Sequence, residues 1–405
     1  MWPCMWGSFL TRCPGRFASV VFTSYLLFQR LAVPSTPIPL ILPVLLLLVA
    51  LALHNRLLVI HHTRFLLWLA TMGAAGLLIY PQSIAVDGPI ISPSSWAFLS
   101  LTLLPFSFSF RLTGEETFLA TARALRTPTL TLSALSIVFV AVQLLGFPYV
   151  DIVARALPDS FLLSGFVTTY PFVYGTDLYR SNAWIGLEAS FTSISLAVGL
   201  VALVYTRAPY WMLALATAAM ATTASGSGMF VVALSACGML ATGRGHILAR
   251  PAMLAALVIP ILLTTGFGQA LLERTTELGN RNSSSALRTT QPYSVLGGQW
   301  LTNPVAAYAG RGAGASQRII EDQGVRGLVT PSPMKFVFDY GIFVGAGLCA
   351  ILAVGCIGPL ARGLPLGLGL SVLTLQTASI MLVTVIALLI TWHGRQVTAT
   401  LPRSI

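Results

Sequence analysis

The sequence predicts an all-α polytopic membrane protein, a bundle of about eleven transmembrane helices (roughly ten to twelve) with one large extracytoplasmic loop containing short helices. Three observations carry that expectation. Charged residues occupy only 9% of the 405 positions and mean hydropathy is +0.82, whereas soluble domains carry about 25% charged residues. Apolar runs approaching the ~20 residues that cross a bilayer recur along the whole chain. The arginines fall in the loops on alternate sides of those runs.

The apolar runs lie at 17–33, 36–53, 65–80, 95–110, 129–146, 186–206, 208–224, 227–242, 251–267, 335–358 and 364–392. The chain therefore reads as a single membrane domain over 1–405, interrupted by outer loops at 147–185 and 268–334. Arg12 and Arg16 precede the first run, and Arg56 and Arg64 follow the second. Arg111, Arg123 and Arg126 follow the fourth, Arg207 the sixth, and Arg244 and Arg250 the eighth. The connection 81–94, on the other side, has no Arg or Lys. Cytoplasmic loops collect basic residues, so the N-terminus is expected in the cytoplasm, and the protein in the inner (cytoplasmic) membrane. Arg395 and Arg403 in the tail run against an eleven-span count. The N-terminal run follows basic residues as a signal peptide does, but no small-residue cleavage site follows it, so it reads as a retained helix.

Composition also excludes function classes. Net charge is +11, yet Lys335 is the one lysine among 23 basic residues. So uniform a bias toward Arg fits a GC-rich coding preference better than a dedicated set of phosphate forks. Aromatic and basic residues do not interleave as in a nucleic-acid surface, so no nucleic acid is expected. Cys4, Cys13, Cys237, Cys349 and Cys356 avoid the long polar segment and form no CxxC, which argues against a disulfide framework or a zinc site. His54, His61, His62 and His246 fall on the predicted cytoplasmic side and His393 at the end of the last run. No outer metal centre and no cofactor are expected, and carboxylates remain as the outer bases.

The polar segment 268–334 carries Arg274, Arg281, Arg288, Arg311, Arg318 and Arg326 against Glu273, Glu277, Glu321 and Asp322. A solvated cap would explain its polarity but not the repeated arginines beside glycine-rich turns. In "PVAAYAGRGAGAS", Gly310, Gly312 and Gly314 flank Arg311. Glycine lets a backbone approach an anion, and successive amides form an anion nest; a turn feeding a short helix is the plainer alternative. Glu188 stands at the outer end of the sixth run, shortly after Arg180. An ionisable group there either pairs or works. Lys335 and Asp339, at i and i+4 on the tenth run, either join that site or pair with each other. "TTASGSGMFVVAL" offers small residues suited to close helix packing.

These segments, in this order, resemble the bacterial O-antigen polymerase and ligase family, which includes exopolysaccharide polymerases. "RSNAWIGLEASFTSISL" is similar to the family's arginine-to-"EPSF" stretch, and "ASGSGMFVVAL" to its S-x-S-G turn. "LR…W…NPVAAYAGRGAG" resembles its periplasmic pattern of Arg, Trp, Pro and G-x-G, and "SPMKFVFDYGIFVG" its post-loop helix. The likeness covers about residues 175–346, with Ala189 where the family has proline. The ligases' histidine before the post-loop helix is absent, Pro331, Ser332 and Pro333 standing in its region, so the resemblance favours a polymerase. It implies glycan transfer from an undecaprenyl-diphosphate-linked oligosaccharide to a lipid-linked acceptor, without metal or cofactor. Arg288 and Glu188 become the expected catalytic residues. Arg281, Arg311, Arg180, Lys335, Asp339, Gly312 and Trp300 become the expected contacts to diphosphate and glycan. Membrane lipid, a chain-length regulator and a flippase are the implied partners. The rival class, a lipid-oligosaccharide flippase or exporter, predicts charges along a path through many helices, whereas here they cluster at outer helix ends.

Overall fold

A computed structural model describes residues 13–357 apart from 86–91, 112–114, 165, 167, 173–176, 242, 244, 254–289 (256 and 264 excepted), 302–303 and 323–329. Most of the expected run 251–267, and all of 364–392, fall outside the described residues.

The described chain is mostly helical, at 73%. Helix α1 (Pro14–Phe28) opens on a proline, whose fixed φ suits a first turn, and α2 (Ile41–His54) returns beside it. Strand β1 (Leu58–Ile60) leads into α3 (His62–Ala85). Helix α4 (Pro93–Leu103) begins at Ser92, whose hydroxyl accepts from the Ser95 amide at 3.2 Å. A 3₁₀ turn, Leu104–Ser107, then feeds β2 (Phe108–Phe110), which pairs antiparallel with β1, Leu58 opposite Phe110. Next come α5 (Glu115–Ala124), α6 (Arg126–Leu144), the short α7 (Ile152–Ala156), α8 (Ala189–Tyr205), α9 (Tyr210–Thr222) and α10 (Gly226–Ala241). Three short helices follow, α11 (Gln291–Leu301), α12 (Pro304–Ala309) and α13 (Ala315–Asp322), before α14 (Ser332–Ile357). The short helices expected in the segment 268–334 are thus present.

The helix count needs correction. Among the described residues three stretches are long and apolar enough to cross a membrane: His62–Gln82, Glu116–Leu144 and Ser332–Val354. Against the expected eleven or so, α2, α8, α9 and α10 are apolar but shorter. Two of the expected runs lie mostly or wholly outside the described residues, and chain-breaking residues shorten others. The fourth run turns at Pro105 into β2, and α9 lies between Pro209 and the turn at Thr223 and Ala224. Its 13 residues span about 20 Å at 1.5 Å per residue, short of a ~30 Å hydrocarbon core.

The loops gather at two ends. At one, Phe17 at the start of α1 meets Phe110 edge-on, Phe118 of α5 meets Tyr205 at the end of α8, and Arg126 donates to the Thr206 carbonyl at 2.8 Å. Arg56, Arg111, Arg126, Arg207 and Arg250 stand on loops and helix ends at this side. The opposite end receives the ends of α1, α3 and α6 and the starts of α4 and α8, together with 147–185 and the short helices α11–α13. Outward faces are apolar, with Leu66, Leu77, Leu144 and Phe343 exposed.

Helix α8 is the centre. All 17 of its residues are buried, and α5, α6, α9 and α10 pack around it. Small residues permit that closeness. An added Cβ at Gly228 would lie 2.5 Å from the Ser193 carbonyl oxygen, and one at Gly199 would overlap the Thr129 side chain. Helices approach without side-chain spacers only at such positions.

Gly228→Leu should therefore force α10 away from α8 and destabilise the protein by about 1–3 kcal/mol, the usual cost of overpacking. Gly73, with nothing within 4 Å of an added Cβ, is the control. Thermal unfolding in detergent should show a lowered midpoint for Gly228→Leu and an unchanged one for Gly73→Ala.

Candidate functional site

Two groups of polar residues occupy the end that receives 147–185 and α11–α13. The first is built on the turn before α8. Ala183 and Trp184 both adopt left-handed backbone, with φ of 55° and 59°, a costly choice for side chains with a Cβ. Neighbouring side chains hold it. Ser181 Oγ accepts from the Ala183 amide at 3.1 Å, and Asn182 Oδ1 from the Trp184 amide at 3.0 Å. Ser181 is tied in turn to Ser136 of α6, whose hydroxyl donates to it at 2.8 Å.

Arg30, just past the end of α1, locks the same turn. Its Nη1 donates to Asp151 Oδ1 at 2.9 Å and to the Trp184 carbonyl at 3.0 Å, and its Nη2 to Asp151 Oδ2 at 2.6 Å. This is the fork-to-fork arrangement that suits Arg and carboxylate, and the Arg30 side chain is 4% exposed. Burial pushes the Asp151 carboxyl up, but the Arg30 hydrogen bonds, the Ala154 amide and the Arg30 charge outweigh it and hold the carboxyl below its ordinary range.

The turn delivers Glu188 to the start of α8. Its backbone is extended, the residue is 8% exposed, and its Oε2 accepts from Ser190 Oγ at 3.1 Å. A carboxylate is thus set into the protein at the end of a buried helix rather than lost in solvent. Arg180 stands on the strand-like bridge between Pro171 and Tyr179. Its Nε donates to the Pro171 carbonyl at 3.1 Å and its guanidinium lies over the Tyr170 ring at 5.6 Å.

The second group is built on a break in α14. Gly341 has φ of 76°, outside the helical region, so the carbonyls of Phe338 and Asp339 are released from the helical ladder. The amides of Arg311 and Gly312 donate to them, each at 2.9 Å. The Asp339 carboxylate, fully buried, accepts from the Ser316 amide at 2.8 Å and the Gly314 amide at 3.2 Å. Gly310, Gly312 and Gly314 all have positive φ, and a Cβ at Gly310 would stand 2.5 Å from the Asp339 carbonyl oxygen. Gln82, at the end of α3, donates from Nε2 to the carbonyls of Ala309 and Asp339.

The glycine run is a turn that feeds the short helix α13, with the Asp339 carboxylate accepting from the Gly314 and Ser316 amides at its start. Of the expected diphosphate contacts, Gly312 donates its amide to the Asp339 carbonyl, and the Asp339 carboxylate caps the start of α13. Lys335 stands one turn before Asp339 and is half-buried. The Asp339 carboxylate oxygens accept from the amides at the start of α13, with the Lys335 charge acting on them from one turn away. Arg311 Nη2 donates to the Gln299 carbonyl at 2.6 Å, and its Nε has no hydrogen-bond partner among the described residues. Trp300 follows Gln299 on α11. Arg281 and Arg288 lie outside the described residues.

The structure thus joins Arg311, Gly312, Lys335 and Asp339 in one knot, and sets Glu188 and Arg180 on the two sides of the 181–188 turn. Sequence reading missed Arg30, Asp151 and Gln82. The available signal was an arginine inside the first apolar run, an expensive place that calls for a partner.

Removing Asp151's charge leaves Arg30 buried without its counter-ion, so Asp151→Asn should cost about 3–5 kcal/mol near neutral pH. The Asp151 contribution is complete above the unfolded-state carboxyl value of about 3.9. It is lost as pH falls through the lower folded-state value. Thermal stability measured from pH 7 to 3 should fall on the acid side in the native protein, and the Asn variant should start lower and lack that acid limb.

No protein-family model matches this chain, and none of the curated proteins does.

Proposed function

We propose that this protein is a polysaccharide polymerase of the cytoplasmic membrane, with its N-terminus in the cytoplasm. It transfers a glycan from an undecaprenyl-diphosphate-linked oligosaccharide to a lipid-linked acceptor at the outer face. The observation that carries this reading is the separation of the two ends. Arginine-bearing loops meet at one, and the buried carboxylate of Glu188, the Arg30–Asp151 pair, Arg180 and Arg311 meet at the other. Cytoplasmic loops attract the first kind of composition, which leaves the second for the outer face.

The chemistry needs an acceptor hydroxyl brought to the anomeric carbon of the donor. The new bond forms between that carbon and the hydroxyl oxygen, and the bond from the carbon to the diphosphate oxygen breaks. Glu188 is a buried carboxylate able to receive the hydroxyl proton or to orient an arginine. Undecaprenyl diphosphate departs with added negative charge, and planar guanidinium forks hold such oxygens without a metal. Arg288 is assigned that hold, through the resemblance of its segment, with Arg281, Arg311 and Arg180 around it. Gly312 and Asp339 serve by fixing Arg311: their bonds to each other's chain set the loop that carries it.

Arg288→Lys keeps the charge and loses the fork. Removing one transition-state donor of this kind costs about 2.7–4 kcal/mol, so turnover should drop a hundredfold or more at normal protein level. Lipid-linked single units should accumulate at the expense of long polymer on gels of cell-envelope extracts. Near-normal polymer from a well-expressed variant removes Arg288 from the mechanism.

The orientation has its own test in a chain freed of its five native cysteines. Gln317 and His54 are both exposed, at opposite ends. Gln317→Cys should react with a membrane-impermeant maleimide in intact cells, and His54→Cys only after the inner membrane is opened. The reverse pattern places the polar loops in the cytoplasm and overturns the proposal.

A further inference from the structure

The arginine-rich end holds a feature that glycan transfer does not use. A cleft of about 280 Å³ opens between the end of α8, the start of α9 and the segment following α10, lined by Val204, Arg207, Leu213, His246, Ile247 and Arg250 among others. Among the described residues no carboxylate lines it. Arg250 is held in place: its Nη1 donates to the Arg207 carbonyl at 3.4 Å and its guanidinium lies over the Tyr210 ring at 5.3 Å. The Arg207 guanidinium has no hydrogen bond or ion pair among the described residues, although its backbone occupies the left-handed region at φ 49°. Asymmetric arginine placement alone would orient the protein in a bilayer. It does not call for two guanidinium groups and an imidazole around one concavity with no counter-ion among the described residues.

The surroundings identify the occupant. Tyr210 and Trp211 are exposed at the rim, 45% and 59%, and Leu240 and Met253 stand exposed nearby at 61% and 65%. Aromatic rings at such a level mark the border between headgroups and hydrocarbon, and exposed aliphatic side chains beside them suit acyl chains. We propose that this cleft binds the phosphate of an anionic phospholipid, with Arg207 and Arg250 as its donors, His246 beside them, and the acyl chains along α9 and α10. Basic pockets between helix ends are the usual receptors for such headgroups. The site rests on the reading of the chain as a membrane protein and not on glycosyl transfer, so either holds if the other fails.

Native mass spectrometry of the full-length, delipidated protein tests it, with dioleoyl phosphatidylglycerol, dioleoyl phosphatidylcholine and inorganic phosphate as separate probes. The anionic lipid should bind well above phosphatidylcholine, and Arg207→Ala and Arg250→Ala should each weaken it by about fivefold, the worth of one arginine at a charged membrane surface. Arg111→Ala, at the same end and outside the cleft, should leave it unchanged. Binding of inorganic phosphate as tight as that of the lipid would show a soluble anion site and contradict the assignment. Equal losses from Arg111→Ala would reduce the effect to diffuse charge, and equal binding of the two lipids would remove it. If an alanine variant unfolds, Arg250→Gln keeps the bulk over Tyr210 and must still lose the preference for the anionic lipid.

Discussion

Helix α8 has no face turned to the outside. All of its residues are buried, so every polar group on it, and on the turn that leads to it, has to find its partner inside the protein. Thr192 donates to the Glu188 and Asn182 carbonyls, Ser195 to the Phe191 carbonyl, and Ser193 to the Ser225 carbonyl of the α9–α10 turn. Those bonds fix where α9 and α10 reverse. They also fix the 181–188 turn, whose unfavourable backbone persists because Ser181, Asn182 and Arg30 each hold one of its atoms. Arg30 then requires Asp151, which anchors the loop 147–185 to the end of α1. Burial of one helix thus dictates where the chain lies at Asp151, some forty residues before that helix begins.

The second anchor works by the same rule at another place. A glycine break in α14 releases two carbonyls and a neighbouring glycine run supplies the amides. Asp339 then caps α13, and Gln82 ties the knot to α3. A buried carboxylate that accepts two backbone amides is fully used in structure. Its consequence is local: these bonds hold the loop that bears Arg311 against α14.

Much of the architecture is legible in the sequence because lipid-facing protein has a simple code. Apolar runs predicted helices at nearly every described position, and arginine placement predicted which loops share an end. Helix length was not legible. Pro105, Pro209 and the bend at Ala224 shorten runs whose hydropathy continues past them, and hydropathy does not register a turn inside an apolar stretch. The glycine run read either as an anion nest or as a turn feeding a short helix; it leads into α13, and only the fold could bring Asp339 to that turn. Arg30 was hidden for the opposite reason: it sits within an apolar run, and its partner comes from 121 residues away. Glu188 was singled out from its position alone, and its bond to Ser190 is the local detail that sequence spacing permits but does not demand.

Both anchored groups lie at the end opposite the basic loops, which is where lipid-linked sugars would meet the protein if that end faces outward. The most direct measurement uses purified protein in liposomes. Lipid-linked oligosaccharide from cells lacking the protein is added, and product length is read on gels in the presence of a metal chelator. Polymerase activity predicts a ladder of longer lipid-linked glycans with release of undecaprenyl diphosphate, undiminished by the chelator. Oligosaccharide that stays at its starting length, and only changes leaflet, would contradict bond formation and leave transport as the activity.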